Sequence, residues 1–210
     1  MSEETIKEKN KFKLFGKYSY ENVEVRDVGL AQYISIKPVG LPHTFARHAN
    51  KQFAKQKVNI AERLVNKLMR GGTGEKVGGK IIRTHGKLQG KKSKALKIVE
   101  QALEEVAKKT GKNPVQALVS AVENSAQRED VTRVRFGGMS YQVAVDVAPQ
   151  RRVDSALRNI TLAAITSSFK NKTTLAEALA NEITLASNND VNSYSIKRKN
   201  EAERMAKSAR

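Results

Sequence analysis

The stretch GGTGEKVGGK, residues 71 to 80, carries glycines and lysines at a spacing that can hold phosphate. Gly74 to Lys80 reads G-x-x-x-x-G-K, the frame of a nucleotide-binding loop. Such a loop joins a strand to a helix, and its Lys is followed by Ser or Thr to bind a metal ion. Here Lys80 is followed by Ile81, and an apolar-striped helix precedes the loop instead of a strand. The frame therefore predicts no nucleotide chemistry. Its main-chain amides and ammonium groups suit phosphates already fixed on a nucleic acid. Other catalytic or metal-binding constellations are missing too. His43 and His48 stand five apart with no carboxylate at ligand spacing, His85 stands alone, and there is no Cys. These imidazoles are expected at the surface or against RNA. Asp146 and Asp154 read as structural acids, not as a catalytic pair. The chain is expected to be no enzyme and to hold no cofactor or metal.

Charge supplies the positive evidence. Thirty-nine Lys and Arg oppose 21 Asp and Glu, a net +18 over 210 residues. That much like charge repels itself, so a polyanionic partner is expected. Glu62 to Ala95 holds ten basic and two acidic residues, and the last fourteen residues hold six and two. Leu96 to Ile196 is almost balanced, with twelve basic and eleven acidic. A nearly neutral body with basic flanks is the expectation. No apolar run approaches the roughly 20 residues of a membrane span, and the first residues have no apolar signal-peptide centre. An intracellular setting without a membrane partner is expected.

The elements that must position these charges follow from periodicity. Hydrophobic residues make up 39% of the chain, enough for an aliphatic core. In VNIAERLVNKLMRGG, Ile60, Leu64 and Leu68 form one stripe, and Gly71-Gly72 ends the helix. Arg63, Lys67 and Arg70 then share the opposite, polar face. Residues 71 to 92 read as a Gly/Lys-rich loop with short order at KIIRTH. A helix over KSKALKIVEQALEEVAKKTGKN buries Leu96, Val99, Leu103 and Val106 and stops at Gly111. Asn113-Pro114 opens the next. The period then changes to two. DVTRVRF and SYQVAVDV flank Gly137-Gly138, which predicts a β-hairpin over about 131–147. Arg133 and Arg135 fall on one face, and Val134 and Phe136 on the other, packed with Val143, Val145 and Val147. A further helix from Gln150 exposes Arg151, Arg152 and Arg158. Thr174 with Glu177 is a capping box for another.

The expected fold is mainly α, a helical bundle with a projecting β-hairpin. The expected divisions are a basic N-terminal extension (1–57, with short strands at YENVEVRDV and QYISIKP), a helical RNA-binding domain (58–193), and a basic C-terminal helix or tail (194–210).

ERLVNKLMRGG, GKKSKALKIVEQALEEVAKKTGKNP, ENSAQREDVTRVRFGGMSYQVAVDVAPQRR and KTTLAEALANEI together resemble the ribosomal protein S-seven family of the small subunit. The resemblance runs from Leu14 onward. LFGKYSYENVEV, LPHTFARHA and NSYSIKRKNEAERMAKSAR resemble its archaeal and eukaryotic branch. Phe45-Ala46 departs from that branch, which has a glycine before the Arg. The resemblance implies a primary binder of small-subunit ribosomal RNA that nucleates head assembly beside neighbouring ribosomal proteins. It also implies proximity to exit-site tRNA and mRNA, with no homo-oligomer. The residues expected to contact RNA are Arg47, His48, Lys57, Arg63, Lys67, Arg70, Lys76, Lys80, Lys87, Lys91, Lys92, Arg133, Arg135, Arg151 and Arg152. The alternatives are a DNA-binding helical protein, an RNA chaperone and, more remotely, a nucleotide-dependent enzyme. Scattered cations favour an irregular RNA surface over the single recognition helix of duplex DNA readers.

Overall fold

The computed structural model describes residues 12–71, 73–77, 80–83 and 85–210, with the backbone alone for 73–77, 80 and 83. The elements run α1 (Val28–Ala31), α2 (Ile60–Leu68), β1 (Thr73–Val77), β2 (Lys80–Arg83), α3 (Lys92–Thr110) and α4 (Pro114–Ser125). There follow β3 (Glu129–Phe136), β4 (Met139–Asp146), α5 (Pro149–Ser168), α6 (Leu175–Ser187) and α7 (Tyr194–Ser208). The fold is mainly helical with a β-hairpin.

Helix α6 sits at the centre, packed against α3, α4 and α5. Its sequence, LAEALANEITLAS, explains that place. Ala176, Ala178, Ala180 and Ala186 are buried with Leu179 and Ile183, and small side chains let three neighbours approach closely. The capping box is formed: the Thr174 hydroxyl accepts from the Glu177 N–H, and the Glu177 carboxylate accepts from the Thr174 N–H. Asn113 caps α4 ahead of Pro114, and Gly111 ends α3 with φ +64°. Pro149 is the first residue of α5, where its missing N–H costs nothing.

Gly137 and Gly138 both have positive φ, so β3 and β4 close through the two-residue turn that their dipeptide predicted. Val134 lies opposite Tyr141, and Phe136 opposite Met139. The two faces divide as expected, but the apolar one does not pack. Phe136 is 80% exposed, and Val134, Met139, Tyr141, Val143 and Val145 are exposed with it. The ribbon extends beyond the helices, so no core exists there to cover that face.

Three further expectations are corrected. YENVEVRDV and QYISIKP form no strands; the first leads into α1, whose Asp27 carboxylate caps Gly29 N–H, and the second makes only an isolated bridge from Ser35 to Asn59. The segment before residue 57 shares the common core: Leu14, Tyr20, Val23, Leu30 and Ile34 are buried in it. β1 and β2 pair as a second antiparallel ribbon, with Val77 opposite Lys80. The Gly78-Gly79 pair and Gly72 lie outside the described residues.

The basic C-terminus is held as helix α7 by a buried acid. Glu182 accepts hydrogen bonds from the Ser193 hydroxyl (2.7 Å), Ser195 N–H (2.9 Å) and the Ser195 hydroxyl (2.7 Å). A carboxylate at a helix N-terminus satisfies free N–H groups and meets the positive end of the helix dipole.

Gly71 is where the end of α2 meets α5. A Cβ there would stand 1.9 Å from Ile165 Cδ1. Gly71→Ala is expected to destabilise the fold by about 1–3 kcal/mol through overpacking. Pairing it with Ile165→Ala should cost less than the sum of the two single changes. Urea unfolding of the four proteins measures this; additive costs would contradict the close approach.

Candidate nucleic-acid interface

The sequence places Arg63 on an exposed polar face of α2, but the structure buries it. Arg63 is 2% exposed. Its Nη1 donates to Tyr33 O (2.8 Å) and its Nη2 to Asp154 Oδ1 (3.1 Å). The cause is position: α2 lies between α5 and the incoming N-terminal segment, so its polar side meets protein. Arg152 is corrected likewise. It is buried and donates to Asp27 Oδ2 (2.8 Å), tying α5 to the cap of α1. Both arginines are structural ties.

Asp154 gathers three cations from two segments. It accepts from Lys55 and from Arg63 Nη2, and Lys67 Nζ lies 3.9 Å away. On α2, next to Arg63, Glu62 is 1% exposed and makes a second node. It accepts from Lys92 Nζ (2.6 Å), Thr44 N–H (2.9 Å) and the Thr44 hydroxyl (2.9 Å). The Thr44 hydroxyl also lies 3.2 Å from His48 Nδ1. The two acids fix the loop over residues 43–57 and the start of α3 against α2.

Between them lies a groove of about 400 Å³. Lys55, Lys67, Arg70 and Lys92 line it, with His43, Phe45, His48, Asn66 and Met69, and Asp154 is the carboxylate among its lining residues. Burial works to raise the Asp154 carboxyl, but the Lys55 hydrogen bond and the charges of Lys67, Lys55 and Arg63 hold it below the usual carboxylate range. Glu62 shows the same balance: burial raises it, and Lys92 with Thr44 outweighs that. Lys67 is displaced the other way. Burial lowers its pKa, Asp154 opposes this, and the charges of Lys55, Arg70 and Arg158 lower it further. Positive charge is therefore under-compensated along this wall.

Of the expected contact residues, the groove unites His48, Lys67, Arg70 and Lys92 with the buried Arg63. Arg47, Lys57, Lys87 and Lys91 are exposed outside its lining. Arg133 and Arg135 are exposed on one face of the hairpin. Arg151 is exposed at the base of the ribbon, 3.7 Å from Asp130. The side chains of Lys76 and Lys80 lie outside the described residues. Lys55 was missed, and its only sequence signal is a basic position in an aperiodic stretch. The phosphate-loop frame is also settled by geometry: residues 80–83 continue as a strand, with no helix to present amides to a nucleotide. Among the described residues there is no cluster fit for a metal ion, and no helix is long and apolar enough to cross a membrane.

A family model described as Ribosomal protein S7p/S5e matches residues 30–210. The chain belongs to this family. It is similar to three archaeal proteins, each named small ribosomal subunit protein uS7. That of Methanosphaera stadtmanae is 50% identical over 198 residues, 94% of this chain and 98% of that one. That of Methanothermobacter thermautotrophicus is 48% identical over 196 residues, 93% and 98%. That of Methanococcoides burtonii is 47% identical over 199 residues, 95% and 100%. The family is one of structural ribosomal proteins, so the S7p/S5e member described here is no enzyme.

The two acid nodes have a pH signature. A carboxyl whose folded pKa is depressed binds protons more readily when unfolded. Its stabilisation is whole above the unfolded value, about 4 for Asp and Glu, and is lost as pH falls through the lower folded value. Asp154→Asn should therefore lower stability at pH 7, and the gap to wild type should narrow as pH falls below about 4. Urea midpoints at both pH values test this; a constant gap would count against the Asp154 node.

Proposed function

We propose that this S7p/S5e protein is a constituent of the small ribosomal subunit that binds ribosomal RNA through the groove between residues 43–57 and α2. The observation that carries this is the excess of cations around Asp154, with a lowered Lys67 pKa, on a wall open to solvent. An RNA phosphate there would supply the missing negative charge and release counterions. Lys67 and Arg70 are the proposed phosphate contacts. Arg63 acts indirectly, by holding Asp154 and thereby Lys55 and Lys67.

The hairpin is the proposed second contact. Arg133 and Arg135 share a face with Ser140 and Gln142, all exposed on a ribbon long enough to reach past the helices. Aliphatic and aromatic side chains on the other face are available to unstacked bases or to a neighbouring ribosomal protein. Cations divided between a groove and a ribbon suit an irregular folded RNA better than the major groove of duplex DNA. Within the subunit we assign the chain to nucleation of the head, beside the exit-site tRNA and the mRNA path. The names of its relatives support the small subunit, and the resemblance of its sequence blocks to the S7p/S5e family supports the finer assignment.

Lys67→Ala and Arg70→Ala should each weaken binding to small-subunit ribosomal RNA. Each should also lower the salt slope by about one unit, the amount that one phosphate interaction contributes. Arg135→Ala discriminates between two modes. A lower slope marks an interaction with phosphate, and weaker cognate affinity with non-cognate binding intact marks one with a base. Filter binding at several salt concentrations measures all three. If none changes affinity or slope, these surfaces do not bind RNA.

A further inference from the structure

We infer that the groove holds one unpaired nucleobase of the bound RNA, stacked on Phe45. The inference rests on the RNA-binding reading of the groove and adds what fills it. Phe45 is 74% exposed, a large apolar ring left in solvent at the wall of a cationic groove. Its backbone is constrained to keep it there. Phe45 and Ala46 are consecutive residues with φ +50° and +58°, the left-handed region that side chains with a Cβ disfavour. Strain of this kind persists where surrounding structure over-determines it and clusters at ligand clamps. Here the surroundings are visible. Thr44 is clamped on both its N–H and its hydroxyl by the buried Glu62 carboxylate. Phe45 N–H donates to His43 Nδ1 at 3.0 Å, and the two rings lie 4.1 Å apart, tilted by 44°. The phenyl ring is thus buttressed by protein while most of its surface remains open.

The rest of the groove matches a nucleotide. Met69 offers apolar surface, and Asn66 offers an amide that can both donate to and accept from a base edge. Lys55, Lys67 and Arg70 line the same groove and supply cations for the flanking phosphates of such a base. An apolar peptide would leave these cations unmatched. A paired base keeps its faces inside the duplex stack, so the occupant is unpaired, in a loop, bulge or junction.

The test uses the full-length protein and transcribed small-subunit ribosomal RNA. Phe45→Ala should weaken binding about tenfold, as removal of one base–aromatic stack does, with the salt slope unchanged. Phe45→Trp should bind as wild type. Base-modifying probes should show one unpaired nucleotide protected by wild type and by Phe45→Trp but reactive with Phe45→Ala. Because the ring is outside the core, thermal unfolding of Phe45→Ala should match wild type. If Lys67→Ala and Arg70→Ala weaken binding while Phe45→Ala does not, the groove contacts RNA but holds no stacked base, and this inference fails alone. It fails in the same way if Phe45→Ala weakens affinity for a neighbouring ribosomal protein instead of RNA. If no groove variant changes RNA binding, the reading beneath it fails as well.

Discussion

The Asp154 carboxylate lies among Lys55, Arg63 and Lys67, and the rest of the basic surface depends on that placement. Arg63 is a nearly buried guanidinium. Removing the acid it pairs with would leave an uncompensated interior charge, a loss of about 3–5 kcal/mol in comparable cases. With the acid present, α2 and α5 can pack although both carry cations where they meet. One negative charge does not neutralise three positive ones. The remainder faces the groove, where Lys67 is both partly desolvated and crowded by cations. Structural cohesion and readiness for a polyanion therefore come from the same pairing.

Glu62 and Glu182 repeat the device elsewhere. Glu62 draws residues 43–48 and the first turn of α3 onto α2. Glu182, on the central helix, fixes the start of α7 through Ser193 and Ser195, and that helix then supports the root of the hairpin. At that root Arg210 pairs with Glu129, and Glu203 accepts from Arg128 N–H. In a chain of net +18, the buried acids are what attach the basic segments to the body.

The helices were legible because their information is local. Stripes such as Ile60, Leu64 and Leu68, the Thr174–Glu177 box, Asn113-Pro114 and Gly111 each name a structure without reference to the remainder of the chain. The hairpin was legible for the same reason, since Gly137-Gly138 permits a turn with two positive φ values. Burial of polar groups was not. Periodicity gives the direction in which Arg63 and Arg152 leave their helices, but not that Asp154 and Asp27 wait there. Residues 14–36 escaped because an irregular segment buries side chains with no period. Phe45-Ala46 stood out as a departure from the family pattern, and the structure shows why glycine would be at ease near that point: the backbone there is left-handed. The fold class was read correctly. Of the residues lining the groove, the sequence pointed to His48, Arg63, Lys67, Arg70 and Lys92, but not to Lys55, to Asp154 as their partner or to the aromatic wall.

The central claim is that the groove around Asp154 faces RNA. Ultraviolet crosslinking of the protein to small-subunit ribosomal RNA, followed by mapping of the crosslinked peptides, tests it most directly. Adducts are expected within residues 43–57 and at the Lys67–Arg70 end of α2, with a second group on the hairpin. Adducts confined to α3, α4 and the exposed side of α7, with none in the groove, would contradict it.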